Sequence, residues 1–328
     1  MKKKTLAVLA SAVIAAVFAT SVEAKTILRM ATDVSRDNSQ AVGAEHFAKL
    51  VSEKTNGDVQ IKFYPDGTLG SSQAIVSGTR TGNIDIAMIG TVNLGGLAEG
   101  FLALDLPFIF KDSAHVYRAL DGKAGAELFS ELDKVGLTGL AFFENGFRNI
   151  TNSRKPIKVP EDVKGLKIRV PQSQTLVKTF EALGANPVPM AYGELYTAME
   201  TGAIDSQDHP TSTLYAGKFY EVQKYLSMTH HGYAAVTLVM NSRKFDKLSP
   251  EYQQIFLDCA KEAAQFQRNL NYTEDQKLLA EMQKAGLEIN EDVDLDQFVE
   301  ATKAVRDEFV KEHGDTVVKL IEADRNVQ

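Results

Sequence analysis

Two stretches decide the fold of this chain: TGNID at 81–85 and TGAID at 201–205. Each closes a segment with helical periodicity and leads at once into a short apolar strand. The glycine that follows the threonine suits the left-handed conformation in which many helices end. Because helix, cap and strand recur in the same order, the repeat predicts two lobes of similar topology, each built on an α/β sheet.

The residues around these stretches alternate between the two kinds of element. Apolar residues spaced three to four apart predict helices over 41–54 and 73–81, whereas residues 26–32, 59–63 and 84–89 have the pattern of strands. Helices that alternate with short strands favour a mostly parallel sheet with helices on both faces. Ser249 and Pro250 then begin a long helical region, with serine as N-cap and proline at the first helical position.

The N-terminus predicts export. Three lysines at 2–4 precede an apolar stretch at 6–18, and VEA at 22–24 offers a cleavage site, which is the pattern of a Sec signal peptide over 1–24. The apolar stretch is shorter than the ~20 residues of a membrane-spanning helix, although an uncleaved anchor helix is the alternative. No cysteine lies near the cleavage site to carry a lipid. We therefore expect a periplasmic protein that begins near Lys25.

Composition excludes several classes of function. The 328 residues suggest two domains, and 36 basic against 43 acidic side chains leave no basic stripe for nucleic acid. The single cysteine, Cys259, allows neither an intrachain disulfide nor a cysteine-rich metal site, and we expect it on a buried helix face. No G-x-S-x-G, H-E-x-x-H or phosphate-binding loop is present, and no histidine has an acidic partner at zinc-ligand spacing. The sequence therefore predicts no enzyme, no cofactor and no metal.

Two arginines are the positive signal. In GLKIRVP at 165–171 the apolar residues alternate with Lys167 and Arg169, and Pro171 ends the strand. This places Arg169 at a carboxyl edge, where α/β sheets bind ligands. Arg148 follows an apolar strand at 137–143 in the same way. A guanidinium matches a carboxylate with two parallel hydrogen bonds, so both arginines are candidates for an anionic ligand; ordinary ion pairs are the alternative.

Several longer stretches carry a family resemblance. They are FYP at 63–65, DLPF at 105–108, KGLKIRVP at 164–171, PMAYGELY at 189–196, GAIDSQDHP at 202–210 and KFYEVQKYL at 218–226. In this order, along nearly the whole exported chain, they resemble the periplasmic solute-binding subunit of TRAP transporters, of the C4-dicarboxylate-binding type.

The resemblance implies a fold and a role. The fold is a two-lobed α/β periplasmic binding protein with a hinge and long C-terminal helices that cross both lobes. We assign 25–145 and 235–274 to lobe I, and 146–234 and 275–328 to lobe II. The role is to capture a small organic acid anion between the lobes and deliver it to the membrane subunits of a TRAP permease, driven by an ion gradient. We expect a monomer that catalyses no reaction.

The resemblance also implies ligand-binding residues. Arg169 matches the arginine that holds the ligand carboxylate, Arg148 matches a second basic residue of the cleft, and Tyr192 matches an aromatic that packs on the ligand, with a plain core role as its alternative. Weaker matches in the first lobe are Asp33, Met88, Thr91 and Asn93.

His209 departs from the family pattern, which has asparagine there. A neutral imidazole would donate one hydrogen bond to the ligand, and an imidazolium would add a positive charge. The alternative is a histidine that packs beside Pro210 and does not contact the ligand. The neutral form fits a sugar acid and the charged form fits a C4-dicarboxylate. We lean to a hydroxylated acid, because Asp33 and Asn93 suit hydroxyl groups. The rival functions are a secreted hydrolase or lyase, with His209 as its only candidate base, and a ligand-sensing partner of a membrane receptor.

Overall fold

The structure is a computed structural model that describes residues 25–327, so the predicted signal peptide at 1–24 lies outside the described residues. Nine strands form one sheet among the described residues. They are β1 (Thr26–Ala31), β2 (Val59–Tyr64), β3 (Ile86–Gly90), β4 (Leu137–Asn152), β5 (Lys167–Val170), β6 (Asn186–Pro189), β7 (Ser206–His209), β8 (Tyr225–Asn241) and β9 (Glu288–Asn290).

The helices pack on both faces of this sheet. They are α1 (Ser39–Lys54), α2 (Ser72–Thr81), α3 (Ser113–Leu120), α4 (Lys123–Asp133), α5 (Gln174–Ala182), α6 (Leu195–Glu200), α7 (Thr211–Ala216), α8 (Ser242–Phe245), α9 (Pro250–Lys284), α10 (Leu295–His313) and α11 (Thr316–Ala323). A 3-10 helix at Glu99–Asp105 joins β3 to α3, and another at Tyr192–Glu194 precedes α6.

The strand order confirms the prediction, made from the repeat, that the two lobes have similar topology. The sheet runs β2-β1-β3-β8-β4-β7-β5-β6, with β9 added beside β8. At one end β1 is parallel to both β2 and β3, and at the other end β5 is parallel to both β6 and β7. Each lobe therefore has the same connection of strand, helix, strand, helix and strand, with its first strand in the middle.

The aspartate that ends each copy of the repeat has the same role in both lobes. Asp85 accepts a hydrogen bond from the amide of Arg29 at 2.6 Å, and its own amide donates to the Arg29 carbonyl at 3.0 Å. Asp205 makes the equivalent pair with Lys167, at 3.0 and 2.9 Å. Each aspartate thus fixes the start of its lobe's third strand to the lobe's first strand, which explains why the motif occurs twice.

The centre of the sheet differs from the prediction. We expected a mostly parallel sheet, but β4 and β8 are antiparallel to each other and to their outer neighbours β7 and β3. Each runs through both lobes without a break, with 16 residues in β4 and 17 in β8. The sheet is therefore mixed, because two shared strands, rather than loops, connect the parallel halves.

Helix α9 crosses both lobes, as predicted, and begins with the predicted cap. The Ser249 side chain accepts a hydrogen bond from the amide of Tyr252, and Pro250 occupies the first turn. The first half of α9 packs with β1, β3 and α1, where Cys259 is buried, and its second half contributes Leu279 and Met282 to a lobe II core. One continuous helix therefore packs against the cores of both lobes.

The end of the chain departs from the predicted division into lobes. Phe298, early in α10, belongs to a lobe II core, but Val305 and Phe309 pack into the core of lobe I. In α11, Ile321 packs into that same core, and its carbonyl lies 2.7 Å from Nε2 of His115 in α3. The segment assigned to lobe II at 275–328 thus returns to lobe I from about the middle of α10, since its apolar face is covered there.

Candidate ligand-binding site

A cavity of about 220 Å³ lies between the lobes, at the carboxyl ends of the parallel strands. The polar and aromatic side chains that line it come from both halves of the sheet. Lobe I contributes Asp33, Gln40, Ser71, Ser72, Gln73, Thr91, Asn93, Asp105 and Asn145; lobe II contributes Arg148, Arg169, Gln172, Tyr192, His209 and Thr213. Seven of the eight residues predicted for the site are among them.

Arg169 is buried in this cavity without an acidic partner. It lies in β5, the residue is 3% exposed, and its Nε and Nη2 donate to the carbonyl of Met190 at 3.0 and 2.8 Å. No carboxylate of the described residues lies within ion-pair distance of it. Burial, together with the positive charge of Arg148, lowers the pKa of Arg169 to about 10. The site therefore holds a guanidinium without a direct ion pair, on which the charges of Asp208 and Asp33 act only from beyond ion-pair distance.

Arg148, unlike Arg169, forms a buried ion pair. It lies inside β4 rather than after the strand, and it binds Asp208 through Nε at 2.5 Å and through Nη2 at 3.0 Å. His231 lies 3.1 Å from the same carboxylate. Burial opposes the ionisation of Asp208, but Arg148 and His231 hold its pKa below the ordinary range. For Arg148 the structure therefore supports the ion-pair alternative, although the residue still lines the cavity.

Two further carboxyl groups face the cavity. Asp33 accepts a hydrogen bond from the Ser72 hydroxyl, and burial raises its pKa. Asp105 accepts one from Ser173 Oγ at 2.7 Å, and burial raises its pKa to about 6. Since Asp105 belongs to lobe I and Ser173 caps α5 of lobe II, this bond joins the lobes. Asp105 is part of the DLPF stretch at 105–108 and was not predicted as a site residue, although an acidic residue between Leu104 and Leu106 was a signal for it.

His209 lies in the cavity wall beside two aromatic rings. Its ring centroid is 5.8 Å from that of Tyr192 and 5.8 Å from that of Phe219. Burial, with the positive charges of Arg148 and Arg169, holds the pKa of His209 well below its ordinary value. Near neutral pH this shift favours the uncharged side chain, which is the first of the two protonation states considered above.

The lobe I predictions divide into residues that reach the cavity and one that does not. Thr91 and Asn93 line it, and their side chains donate to the carbonyls of Ala235 and Gly90, both at 3.1 Å. Met88 is wrong as a site residue: it is fully buried in the core with Met30 and is absent from the cavity wall. Successive side chains of a strand point to opposite faces, and the position of Met88 in β3 directs it into the core.

Sequence reasoning also missed several neutral polar residues of the site. Asn145 is an example: its side-chain oxygen accepts a hydrogen bond from Thr213 Oγ1 at 2.6 Å across the junction between the lobes. The Asn-Gly dipeptide at 145–146, a frequent turn sequence, was the signal that could have marked it. Gln40, Ser72, Gln73 and Gln172 carried no signal, because a polar residue near a helix start is also common on a surface.

Residues 25–327 contain neither a cluster of potential metal ligands nor a helix suited to cross a membrane. No group of three or more histidine, cysteine, aspartate or glutamate side chains in that range is arranged to hold a metal ion. Within the same range no helix has the length and apolarity needed to cross a membrane.

Burial raises the pKa of the Cys259 thiol to about 11, which suits its place in the core.

The two α/β lobes, the two strands that run through both of them and the cavity between them define a two-lobed ligand-binding protein. The chain belongs to the bacterial extracellular solute-binding protein family 7, whose family model matches residues 30–313. This confirms the resemblance and the fold class inferred from the sequence.

Relatives with different ligands are similar to this chain. The 2,3-diketo-L-gulonate-binding periplasmic protein of Escherichia coli K12 is 45% identical over 298 residues, which cover 90% of this chain and 91% of the relative. The C4-dicarboxylate-binding periplasmic protein of Rhodobacter capsulatus is 31% identical over 261 residues, which cover 79% of this chain and 78% of the relative. A TRAP solute-binding protein from Polaromonas, solved with D-erythronate, has a TM-score of 0.89 and 32% identity over 93% of this chain and 99% of its own.

Proposed function

We propose that this chain is the exported solute-binding subunit of a TRAP transporter, and that it captures a hydroxylated monocarboxylate of the sugar acid class. The single observation that carries the proposal is the buried guanidinium of Arg169, which has no acidic partner among the described residues. Leaving a charge buried and unpaired is costly, so such a group is typical of a site that an anionic ligand completes.

Arg169 is suited to hold one carboxylate. Two of its nitrogens are fixed by the carbonyl of Met190, which leaves Nη1 without a hydrogen-bond partner among the described residues. A planar guanidinium fixed in this way is pre-organised for a carboxylate oxygen. When the lobes close and exclude water, the lower local dielectric strengthens the ion pair. Carboxylate binding and lobe closure therefore favour each other.

The charge balance favours a single carboxylate over two. The charge of Arg148 is neutralised by Asp208, and Asp33 and Asp105 add acidic groups to the wall. A second carboxylate would have to lie among these groups without a free cation, whereas hydroxyl groups could donate to them. The relatives named for diketogulonate and erythronate support this class, and the dicarboxylate relative supports the alternative.

The absence of catalysis, the partner and the location are parts of the same proposal. Family membership supports the role of a transport component. We propose that the protein is a monomer that reaches the periplasm through a cleaved signal peptide at 1–24, without a lipid anchor. It then hands its ligand to the permease subunits of the transporter.

Isothermal titration calorimetry with four-carbon and six-carbon acids tests the proposal. D-erythronate, L-gulonate and D-galactonate are compared with succinate, and the recovered ligand is checked for chemical change by NMR. We expect at least one aldonate to bind about tenfold more tightly than succinate and to be recovered unchanged. Tighter binding of succinate would favour the dicarboxylate alternative, turnover would favour an enzyme, and no binding of any carboxylate would overturn the proposal.

A further inference from the structure

We infer that His209 presents a hydrogen-bond acceptor, its unprotonated Nε2, to the ligand and thereby selects an acid with a hydroxyl group at that point. This inference rests on the proposed function. It reverses the role considered from the sequence, in which a neutral imidazole donates to the ligand. A series of buried hydrogen bonds, which begins at two main-chain carbonyls, determines which ring nitrogen of His209 carries the proton.

Gln223 fixes which partner donates and which accepts in this series of hydrogen bonds. Its Nε2 lies 3.1 Å from the carbonyl of Val222 and 3.4 Å from that of Asp205, and carbonyls can only accept. The amide nitrogen of Gln223 must therefore be at this end, which turns Oε1 toward Thr151. The hydroxyl of Thr151 lies 3.0 Å from that oxygen and donates to it. Gln223 is 5% exposed and Thr151 is 1% exposed, so water does not compete for these bonds.

Gln207 links Thr151 to His209 through its side-chain amide. Because the proton of the Thr151 hydroxyl is used on Gln223, its oxygen accepts from Gln207 Nε2, which lies 2.6 Å away. This orients the Gln207 amide, and its Oε1 faces Nδ1 of His209 in a short hydrogen bond. An amide oxygen only accepts, so the proton of that bond lies on His209 Nδ1.

The remaining nitrogen of His209 is absent from the fully buried, unpartnered atoms of the described residues, and His209 lines the cavity, so we infer that Nε2 faces it. A neutral imidazole carries one proton, and Nδ1 holds it, so Nε2 has a free lone pair. Nε2 has no hydrogen-bond partner among the described residues, and His209 is part of the cavity wall. Burial and the positive charges of Arg148 and Arg169 disfavour a second proton on the ring, and the negative charge of Asp208 opposes them only in part.

An acceptor at this point discriminates between classes of acid. A ligand hydroxyl can donate to Nε2, whereas a carboxylate or keto oxygen would place two acceptors against each other and leave both unpaired. Leaving buried polar groups unpaired is what makes polar sites selective. His209 is thus a specificity-determining residue, and Gln207 is a positioning residue that acts through it.

The tautomer can be observed directly in the wild-type protein. Long-range ¹H–¹⁵N NMR at neutral pH, with the His209 signals assigned by their loss in His209→Gln, should give a protonated-type shift for Nδ1 and an unprotonated-type shift for Nε2. L-gulonate should move the Nε2 shift in the direction of hydrogen-bond acceptance. A proton on Nε2, or an imidazolium, would overturn the inference without bearing on carboxylate binding.

A double-mutant cycle between protein and ligand tests the hydroxyl contact. Calorimetry compares L-gulonate with its monodeoxyfluoro analogues, because fluorine replaces a hydroxyl without being able to donate. Wild type should lose about tenfold in affinity for one analogue. His209→Phe, which keeps the ring, and Gln207→Leu, which frees the tautomer, should bind L-gulonate more weakly but lose that discrimination.

Gln60→Leu, an exposed substitution on β2, is the matched control and should behave as wild type. Equal discrimination by wild type and His209→Phe would overturn the inference while leaving the proposed function intact. If instead no form of the protein bound L-gulonate, D-galactonate or D-erythronate, the proposed function itself would fail, and the NMR measurement would still decide the tautomer.

Discussion

Arg148 and Arg169 have the same side chain and nearly the same burial, but they have different roles. Arg148 is 5% exposed and is bound on two sides by Asp208; Arg169 is 3% exposed and is bound only to a main-chain carbonyl. The first forms an internal ion pair that shapes the cavity wall, and the second has no carboxylate within ion-pair distance. Substitutions at the two positions should therefore affect different quantities.

Arg169→Lys should weaken ligand binding and leave the fold intact. Lysine keeps the charge but loses the planar fork, and a charged hydrogen bond contributes roughly 1.5–3 kcal/mol. We expect a loss in affinity for L-gulonate of one to two orders of magnitude by calorimetry, with unchanged circular dichroism. Arg80→Lys, at an exposed position of α2, is the control. An affinity within threefold of wild type would remove Arg169 as the anchor.

Asp208→Asn should instead destabilise the protein. It leaves Arg148 buried and without its counter-ion, and breaking a buried ion pair in this way costs about 3–5 kcal/mol. The measurement is the free energy of unfolding in urea. Asp292→Asn, which breaks the exposed pair with Lys158, should cost less than about 1 kcal/mol. Equal effects of the two substitutions would contradict the structural role given to the buried pair.

Asp105 should make stability depend on pH. Its pKa of about 6 in the folded protein lies above its unfolded value of about 3.9, so the folded state binds the proton more tightly. Its contribution to stability is therefore present below about pH 4 and is lost as the pH rises through 6. Arg148 and Asp208 are the charged groups that act on it, with opposite signs.

The test is Asp105→Asn, which stays neutral and keeps an acceptor for Ser173. Its free energy of unfolding should equal that of wild type near pH 4 and exceed it by up to about 3 kcal/mol above pH 7. The readout is urea denaturation at a series of pH values. A difference that does not change with pH would show that the Asp105 carboxyl does not titrate as described.

At the scale of elements, the junction between the lobes is a property of β4 and β8. The pairing of these strands is interrupted by register shifts at Glu144/Gly146 and Arg148/Ile150. Gly146 has a φ of 124°, which other residues rarely adopt, and an added Cβ would lie 3.2 Å from Cβ of Pro210. Bulges bend and twist strands, so these shifts are suited to a hinge.

Gly146→Ala should therefore affect both stability and closure. We expect a loss of about 1–3 kcal/mol in the free energy of unfolding, from backbone strain and the contact with Pro210. The ligand-induced change in solution scattering should also decrease. Gly96→Ala is the control, because its added Cβ meets nothing within 4 Å and its φ is not positive. Wild-type behaviour of Gly146→Ala would place the hinge elsewhere.

At the scale of the whole molecule, the site exists only between the lobes. Arg169 and His209 belong to one lobe, Asp33 and Asn93 to the other, and the bond from Ser173 to Asp105 crosses between them. Helix α9 packs against the cores of both lobes, so it limits the paths along which they can separate. Ligand binding in such an arrangement is coupled to the relative position of the lobes.

Ligand should therefore compact and stabilise the wild-type protein. We expect L-gulonate at saturation to reduce the radius of gyration measured by solution scattering. A ligand concentration of 100 times Kd should add about 2.7 kcal/mol to the stability, because only the folded state binds. Arg169→Lys, at the same ligand concentration, should show a smaller decrease in radius of gyration and a smaller gain in stability. A scattering curve that does not change on saturation would count against closure.

The sequence by itself determined the features that depend on neighbours along the chain. The repeated motif with its glycine caps, the Ser249–Pro250 helix start and the strand that carries Arg169 all follow from local conformational preferences. Each involves residues within a few positions of one another, where periodicity and capping act. Family resemblance added the site positions, since matching motifs imply matching places in the fold.

Only the tertiary structure decided what those positions do. Asp208 neutralises Arg148 from 60 residues away, and Gln207 reaches Thr151 from 56 residues away to fix the proton on His209. The burial of Met88 and the return of α11 to lobe I likewise depend on which surfaces meet. Charge state, tautomer and burial are set by partners brought together through chain folding, and no local pattern specifies those partners.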